Sequence, residues 1–133
     1  MEKQLFLKGF NREKNGKINK IIEIFKCISV SKEKIHCDFI FNVSQQIISK
    51  GLKLLQKNTD VEIICLPMND KKICCNINVD LENIAIVLQF IKTYEICATF
   101  STNEIKINLN DNDGDFVIID SKNEKYKIIK NLL

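Results

Sequence analysis

The amino-acid sequence predicts an α+β fold, a duplicated βαβββ unit whose two helices pack on antiparallel sheets. Two segments repeat apolar residues at helical spacing, the other apolar segments alternate or cluster β-branched residues, and turn-forming residues separate consecutive strands. One domain is expected from 133 residues, of which 45% are apolar and 28% charged, enough to bury a core and too apolar for a disordered chain.

Gln4-Leu5-Phe6-Leu7-Lys8-Gly9-Phe10 reads as the first strand, and Asn11 to Lys17, with its Asn15-Gly16 pair, as a turn or loop. Ile18, Ile21, Ile22, Phe25 and Ile28 then fall on one helical face, opposite Asn19, Lys20, Glu23 and Lys26, which predicts the first helix over 18–29. Ile35, Cys37, Phe39, Phe41 and Val43 alternate and predict a strand over 35–43. Ser44 to Asn58 fits two periods. Ser44 could cap a helix presenting Ile48, Leu52 and Leu55, yet Gly51 in its middle costs about 1 kcal/mol against Ala. Val61–Leu66 and Lys72–Val79 are strands on β-branched content, joined as a hairpin through Pro67-Met68-Asn69-Asp70. Asp80 stands where an N-cap belongs, and Ile84, Val87, Leu88 and Ile91 form one face of the second helix, with Ile86 and Phe90 opposite. Three short strands follow over 95–100, 104–109 and 115–120, the last two joined through Asp113-Gly114, a strong hairpin signal. Residues 122–133 form a basic tail or an added edge strand beyond a domain spanning 1–121.

Ile (23), Lys (19) and Asn (15) dominate the chain against one Arg, so sequence-specific base reading through guanidinium forks is not expected. Charge is uneven: nine Lys/Arg against four Asp/Glu over 1–35, seven against twelve over 36–121, and four against one over 122–133. Basic ends of this kind can steer the chain to phosphate, while the acidic middle suits a basic partner. No apolar run reaches the 18 or more residues of a membrane span and the N-terminus has no signal-peptide hydrophobic region, so an intracellular protein of nucleus or cytoplasm is expected.

The six cysteines form no C-x-x-C pair, and most lie inside apolar runs such as Ile64-Cys65-Leu66 and Ile73-Cys74-Cys75, so free thiols and no bound metal or cofactor are expected. Asp111-Asn112-Asp113-Gly114-Asp115 lacks the late Glu of a calcium loop and reads as a polar hairpin turn. His36 and Cys37 are neighbours on a strand and point to opposite faces, which denies them the hydrogen bond of a nucleophile and its base. Catalysis is therefore not expected. The apolar girth of the second helix leaves Ile86 and Phe90 as candidates for docking another chain, and Lys17, Lys20 and Lys26 on the first helix as candidates for a phosphate backbone.

With Gly51–Lys57 taken as a strand, strand, helix and three strands (4–10, 18–29, 35–43, 51–57, 60–66) repeat as 72–79, 81–93, 95–100, 104–109 and 115–120. This order resembles one domain of the sliding DNA clamps, the proliferating cell nuclear antigen and checkpoint clamp family. Gly51-Leu52-Lys53-Leu54 through Val61–Leu66 is similar to the family's paired strands after the first helix, and Ile77–Ile84 to its strand entering the second. The resemblance implies a non-catalytic processivity factor of DNA replication or DNA-damage signalling that contacts duplex DNA through Lys17, Lys20, Lys26 and Lys92. It also implies that partners dock on the tail at Tyr126, Ile128 and Ile129, and that the chain forms a homo-oligomer. Family chains carry two or three such domains, and this chain has one. The competing reading is a small inhibitor or adaptor, such as a toxin-neutralising immunity protein, whose acidic residues face a basic partner. A helix over Ser44–Asn58 would break the duplication and favour the adaptor.

Overall fold

Strand content among the described residues resolves into one antiparallel sheet of seven strands: β1 (Glu2–Phe6), β2 (Ile35–Asn42), β3 (Ile64–Pro67), β4 (Lys72–Val79), β5 (Cys97–Ser101), β6 (Ile105–Asp111) and β7 (Gly114–Asp120). Their spatial order is β1-β7-β6-β5-β2-β4-β3. The computed structural model describes residues 2–7, 18–28, 34–42, 44, 47–59, 61–111 and 114–133. Lys17, the Asn15-Gly16 turn and Asp113 lie outside them. Gly114, at φ 102°, occupies a backbone region that favours glycine and closes the β6–β7 hairpin, as its sequence signal predicts.

Because strand side chains alternate, the register assigns every residue to a face. Cys37 is opposite Ile77 and Phe100, Phe100 opposite Ile107, and Ile107 opposite Val117, and all of these belong to one buried core. The other face carries His36, Asp38, Asn76, Asn78, Thr99, Ser101 and Lys106. Such an alternation of apolar and polar positions is expected of an antiparallel sheet covered on one side.

Among the described residues four helices make that cover: α1 (Ile18–Ile28), α2 (Ile47–Thr59), α3 (Ile84–Tyr94), preceded by a 3-10 turn at Leu81–Asn83, and α4 (Tyr126–Leu132). α2 packs on α3, α3 on α1 and α1 on α4, so the helical layer runs in that order. α1 buries Ile21, Ile24 and Phe25, the Phe25 ring 5.8 Å from Phe100 beneath it. α3 buries Val87, Leu88 and Ile91 on the sheet, with the Phe90 ring 5.6 Å from Phe39.

The fold class is the α+β one expected, but four features of the duplicated unit are corrected. Residues 51–57 are not a strand: Ile48, Gly51, Leu55 and Thr59 form a buried helical stripe on α2, with Lys50, Lys53 and Lys57 exposed. The first repeat is therefore strand, helix, strand, helix, strand, and only the second (β4, α3, β5, β6, β7) keeps the βαβββ order. One continuous sheet replaces the expected sheets. The tail is neither edge strand nor free end: Ile129 is fully buried on α4, and the preceding turn is pinned where Lys125 Nζ meets Glu104 Oε2 at 3.0 Å.

The expectation of six free thiols is also corrected, because Cys65 and Cys75 form a disulfide across β3 and β4. Asn69 Oδ1 accepts from the backbone N–H groups of Lys71 and Lys72 at 2.8 and 2.9 Å, and Met68 N–H donates to Lys72 O at 2.9 Å. That closure puts Pro67 in the strand rather than the turn and sets Cys65 directly opposite Cys75. Sequence spacing did not reveal the pair because hairpin register is decided where the turn closes. The bond closes a short loop, so Cys65→Ser is expected to cost about 2–3 kcal/mol without reductant. Urea unfolding checks this: reductant should bring the wild type down to the variant and leave the variant unchanged.

Candidate functional site

The helical layer opens between α2 and α3. Gly51, near the start of α2, lies against Phe90 and Tyr94 near the end of α3, while Asn83 Nδ2, just before α3, donates to Thr59 O at the end of α2, at 3.5 Å. The two helices thus run antiparallel. A β-carbon built on Gly51 would stand 2.5 Å from Tyr94 Cε2 and 2.8 Å from Phe90 Cε2. Glycine at this position permits the close approach, which explains a residue that by itself weakens a helix.

Between the outer sides of the two helices lies an apolar cleft of about 390 Å³, lined on α2 by Gly51, Leu54 and Leu55 and on α3 by Ile86, Phe90 and Tyr94. Leu54 is 57% exposed and Ile86 37%, whereas Leu55 and Phe90 form a buried floor. Beneath that floor Phe39 of β2 supports Phe90, whose ring lies 5.2 Å from Tyr94. The two rims differ. Lys50, Lys53 and Lys57 stand exposed along α2, while Ala85, Gln89 and Thr93 give α3 a neutral rim in which Gln89 Nε2 donates to Thr93 Oγ1 at 3.2 Å. Neither helix contains a carboxylate side chain.

The candidate partner residues divide between two places. Ile86 and Phe90 meet in the cleft, Ile86 on its wall and Phe90 in its floor. Tyr126, Ile128 and Ile129 lie on α4, which packs against α1: Ile128 is exposed, Tyr126 half-buried, and Ile129 belongs to the core, so it is withdrawn as a docking residue. Leu54, Tyr94 and the three lysines of α2 were missed. Their signal was present as Ile48, Leu52 and Leu55 on one helical face with Lys50, Lys53 and Lys57 elsewhere, but the strand alternative concealed it.

Among the DNA-contact candidates, Lys20 and Lys26 lie on α1 and Lys92 on α3, all in the helical layer. Lys26 Nζ is 3.6 Å from Glu23 Oε1, with both side chains more than half exposed. On the uncovered sheet face the His36 ring lies between Asp38 Oδ1 (2.9 Å) and Asn78 Oδ1 (3.0 Å). Cys37 points the other way into the core. Burial, reinforced by the Asp38 charge, pushes its thiol well above the ordinary range, which disfavours the thiolate a nucleophile needs. Among the described residues no group of three or more His, Cys, Asp or Glu side chains is placed to hold a metal ion, and no helix is long and apolar enough to cross a membrane.

Fold and site together define an α+β protein with one face of its sheet left open by the described elements and an apolar cleft, lysine-bordered on one side, in its helical layer. Comparison with protein-family models, curated proteins and solved structures finds no match for the chain.

Proposed function

We propose that the chain is a non-catalytic protein-binding module, an adaptor or inhibitor that holds its partner in the α2–α3 cleft. The single observation that carries this reading is the cleft itself: a recessed apolar floor flanked by exposed Leu54 and Ile86, the arrangement in which buried anchor residues supply most binding energy. The helix at 47–59 favours it too, since it interrupts the duplication on which the clamp reading rests. The immunity-protein version, with acidic residues facing a basic partner, gains nothing from this site, whose charged rim is lysine.

A photo-crosslinking residue at Ile86 is expected to capture one partner in cells, and the same residue at Lys106, on the open sheet face, is not. The captured protein, purified and recombined with this chain, should form a saturable complex that Leu54→Asp weakens by roughly 30-fold or more, as for an interface hot spot. Equal capture at both positions would overturn the cleft assignment.

A second reading, contact with a duplex backbone in the manner of a clamp, draws on the intact βαβββ order of the second half and on Lys20, Lys26 and Lys92 in the helical layer. It predicts DNA retention that falls steeply with salt and is lost in the Lys20→Glu/Lys26→Glu double variant, with folding unchanged. Retention that survives the double variant would dismiss these residues. Closure of a ring through the sheet meets a topological obstacle. Seven alternating strands leave β1 and β3 running the same way, so head-to-tail copies would join in parallel, whereas a two-fold pair of β3 edges would be antiparallel.

A further inference from the structure

Resting on the protein-binding reading, we infer that the occupant of the α2–α3 cleft is an amphipathic helix of a partner protein, with an apolar stripe bordered on one flank by Asp or Glu. Length, shape and charge of the cleft each contribute. α2 has 13 residues and α3 has 11. Gly51 to Asn58 of α2 and Ala85 to Tyr94 of α3 line the cleft, so at about 1.5 Å per residue it is roughly 12–15 Å long, room for about two to three helical turns. Its walls are helical and its floor is recessed below Leu54 and Ile86, so it receives side chains projecting from a cylinder, the helix-in-groove mode of recognition.

Charge decides the flank. At about 3.6 residues per turn, Ile47, Leu54 and Asn58 lie on a line beside the buried stripe of α2, and Lys50 and Lys57 lie on the next line outward, with Lys53 beyond them. Ile47 is 65% exposed, which extends the apolar line to the start of the helix. The opposite rim, Ala85, Gln89 and Thr93, is uncharged, and Lys92, the one lysine of α3, lies seven residues beyond Ala85, about two turns along the same line of the helix. A helix lying in the trough therefore meets at most the single Lys92 at one end of its α3 side and a ridge of three lysines along its α2 side. Carboxylates on that side gain attraction and correct orientation, and lysines there are repelled. A two-fold pairing of this cleft with that of a second copy is disfavoured, because neither α2 nor α3 carries a carboxylate to answer the lysine ridge.

The test uses synthetic helical peptides of about four turns with Leu and Phe at i, i+4 and i+7. One carries Glu along a single flank, one carries Lys there, and one has the same composition with its helical spacing scrambled. The Glu peptide is expected to bind saturably by fluorescence anisotropy, the Lys peptide roughly tenfold more weakly, and the scrambled peptide not at all. Lys50→Glu/Lys57→Glu changes two exposed residues, so the variant should melt as the wild type does and invert the order of the Glu and Lys peptides. Equal affinity for the Glu and Lys peptides, or an order that the double variant leaves unchanged, overturns the inference. So does binding to phosphatidylserine-containing vesicles that the Glu peptide fails to displace, which would assign the lysine ridge to an anionic lipid surface. If no peptide binds while crosslinking at Ile86 still captures one protein, the acidic helix falls and the protein-binding reading stands.

Discussion

Replacing Phe39 by Ala is expected to cost about 3–5 kcal/mol of folding free energy, the usual penalty for emptying a buried aromatic site. Phe39 lies on β2, flanked by β4 and β5, and is wholly buried. Its ring meets Phe90 edge-on at 5.6 Å, and Phe90 in turn meets Tyr94 at 5.2 Å, so the deletion removes transfer energy, leaves a cavity, and takes the support from the floor of the cleft. Domains have only about 5–15 kcal/mol in hand, so the variant should unfold at markedly lower urea and temperature. Ile128→Ala on α4 is the control: its side chain is 53% exposed, and a change within about 0.5 kcal/mol is expected. Urea unfolding followed by circular dichroism measures both. A loss below about 1 kcal/mol for Phe39→Ala would contradict the packing described for β2 and α3.

The second large effect is expected at Gly51. In an open helix Gly→Ala gains about 1 kcal/mol. Here the new methyl would stand 2.5 Å from Tyr94 Cε2 and 2.8 Å from Phe90 Cε2. Tyr94, half-buried, can pivot outward, but Phe90 is held against Phe39 and cannot. Gly51→Ala should therefore lose about 1 kcal/mol instead of gaining it, and Gly51→Leu about 3 kcal/mol as α2 is pushed off α3. Because the clash that cannot relax is with Phe90, Phe90→Ala should partly rescue Gly51→Leu, with a coupling of at least about 1 kcal/mol in a double-mutant cycle. Strict additivity would show that the two residues do not meet. Gly51→Leu also fills the cleft from its α2 wall, so the same variant should lose the Glu peptide.

Both predictions rest on α2, the element that local pattern did not settle. Leu52, Leu54 and Leu55 satisfy a strand and a helix about equally over so short a run, and Gly51 argues locally against a helix. The contact that reverses that argument, Gly51 beneath Phe90 and Tyr94, comes from residues about forty positions away. The first helix, the strands at 35–42 and 72–79 and the three final strands were legible, since each turns a periodic face to one deep core, while the strand at 64–67, exposed throughout, was legible from its β-branched content and the turn that follows it. α4 was not: seven residues with one fully buried side chain make too short a period, and its place depends on the Glu104–Lys125 contact.

The candidate site divides along the same line. Ile86 and Phe90 were visible because the second helix is apolar nearly all round, which marks a helix with something on every side. That Ile86 stays exposed while Phe90 is covered depends on where α2 lies. Local alternation and turn chemistry determined the α+β class, most strands and two helices, because these depend on which residues avoid water along a single element. Tertiary structure alone decided the strand order, the pairing of Cys65 with Cys75, the helical state of 47–59 and the cleft between α2 and α3. Each of these is a contact between segments distant in sequence, and its energy exists only once the chain has brought them together.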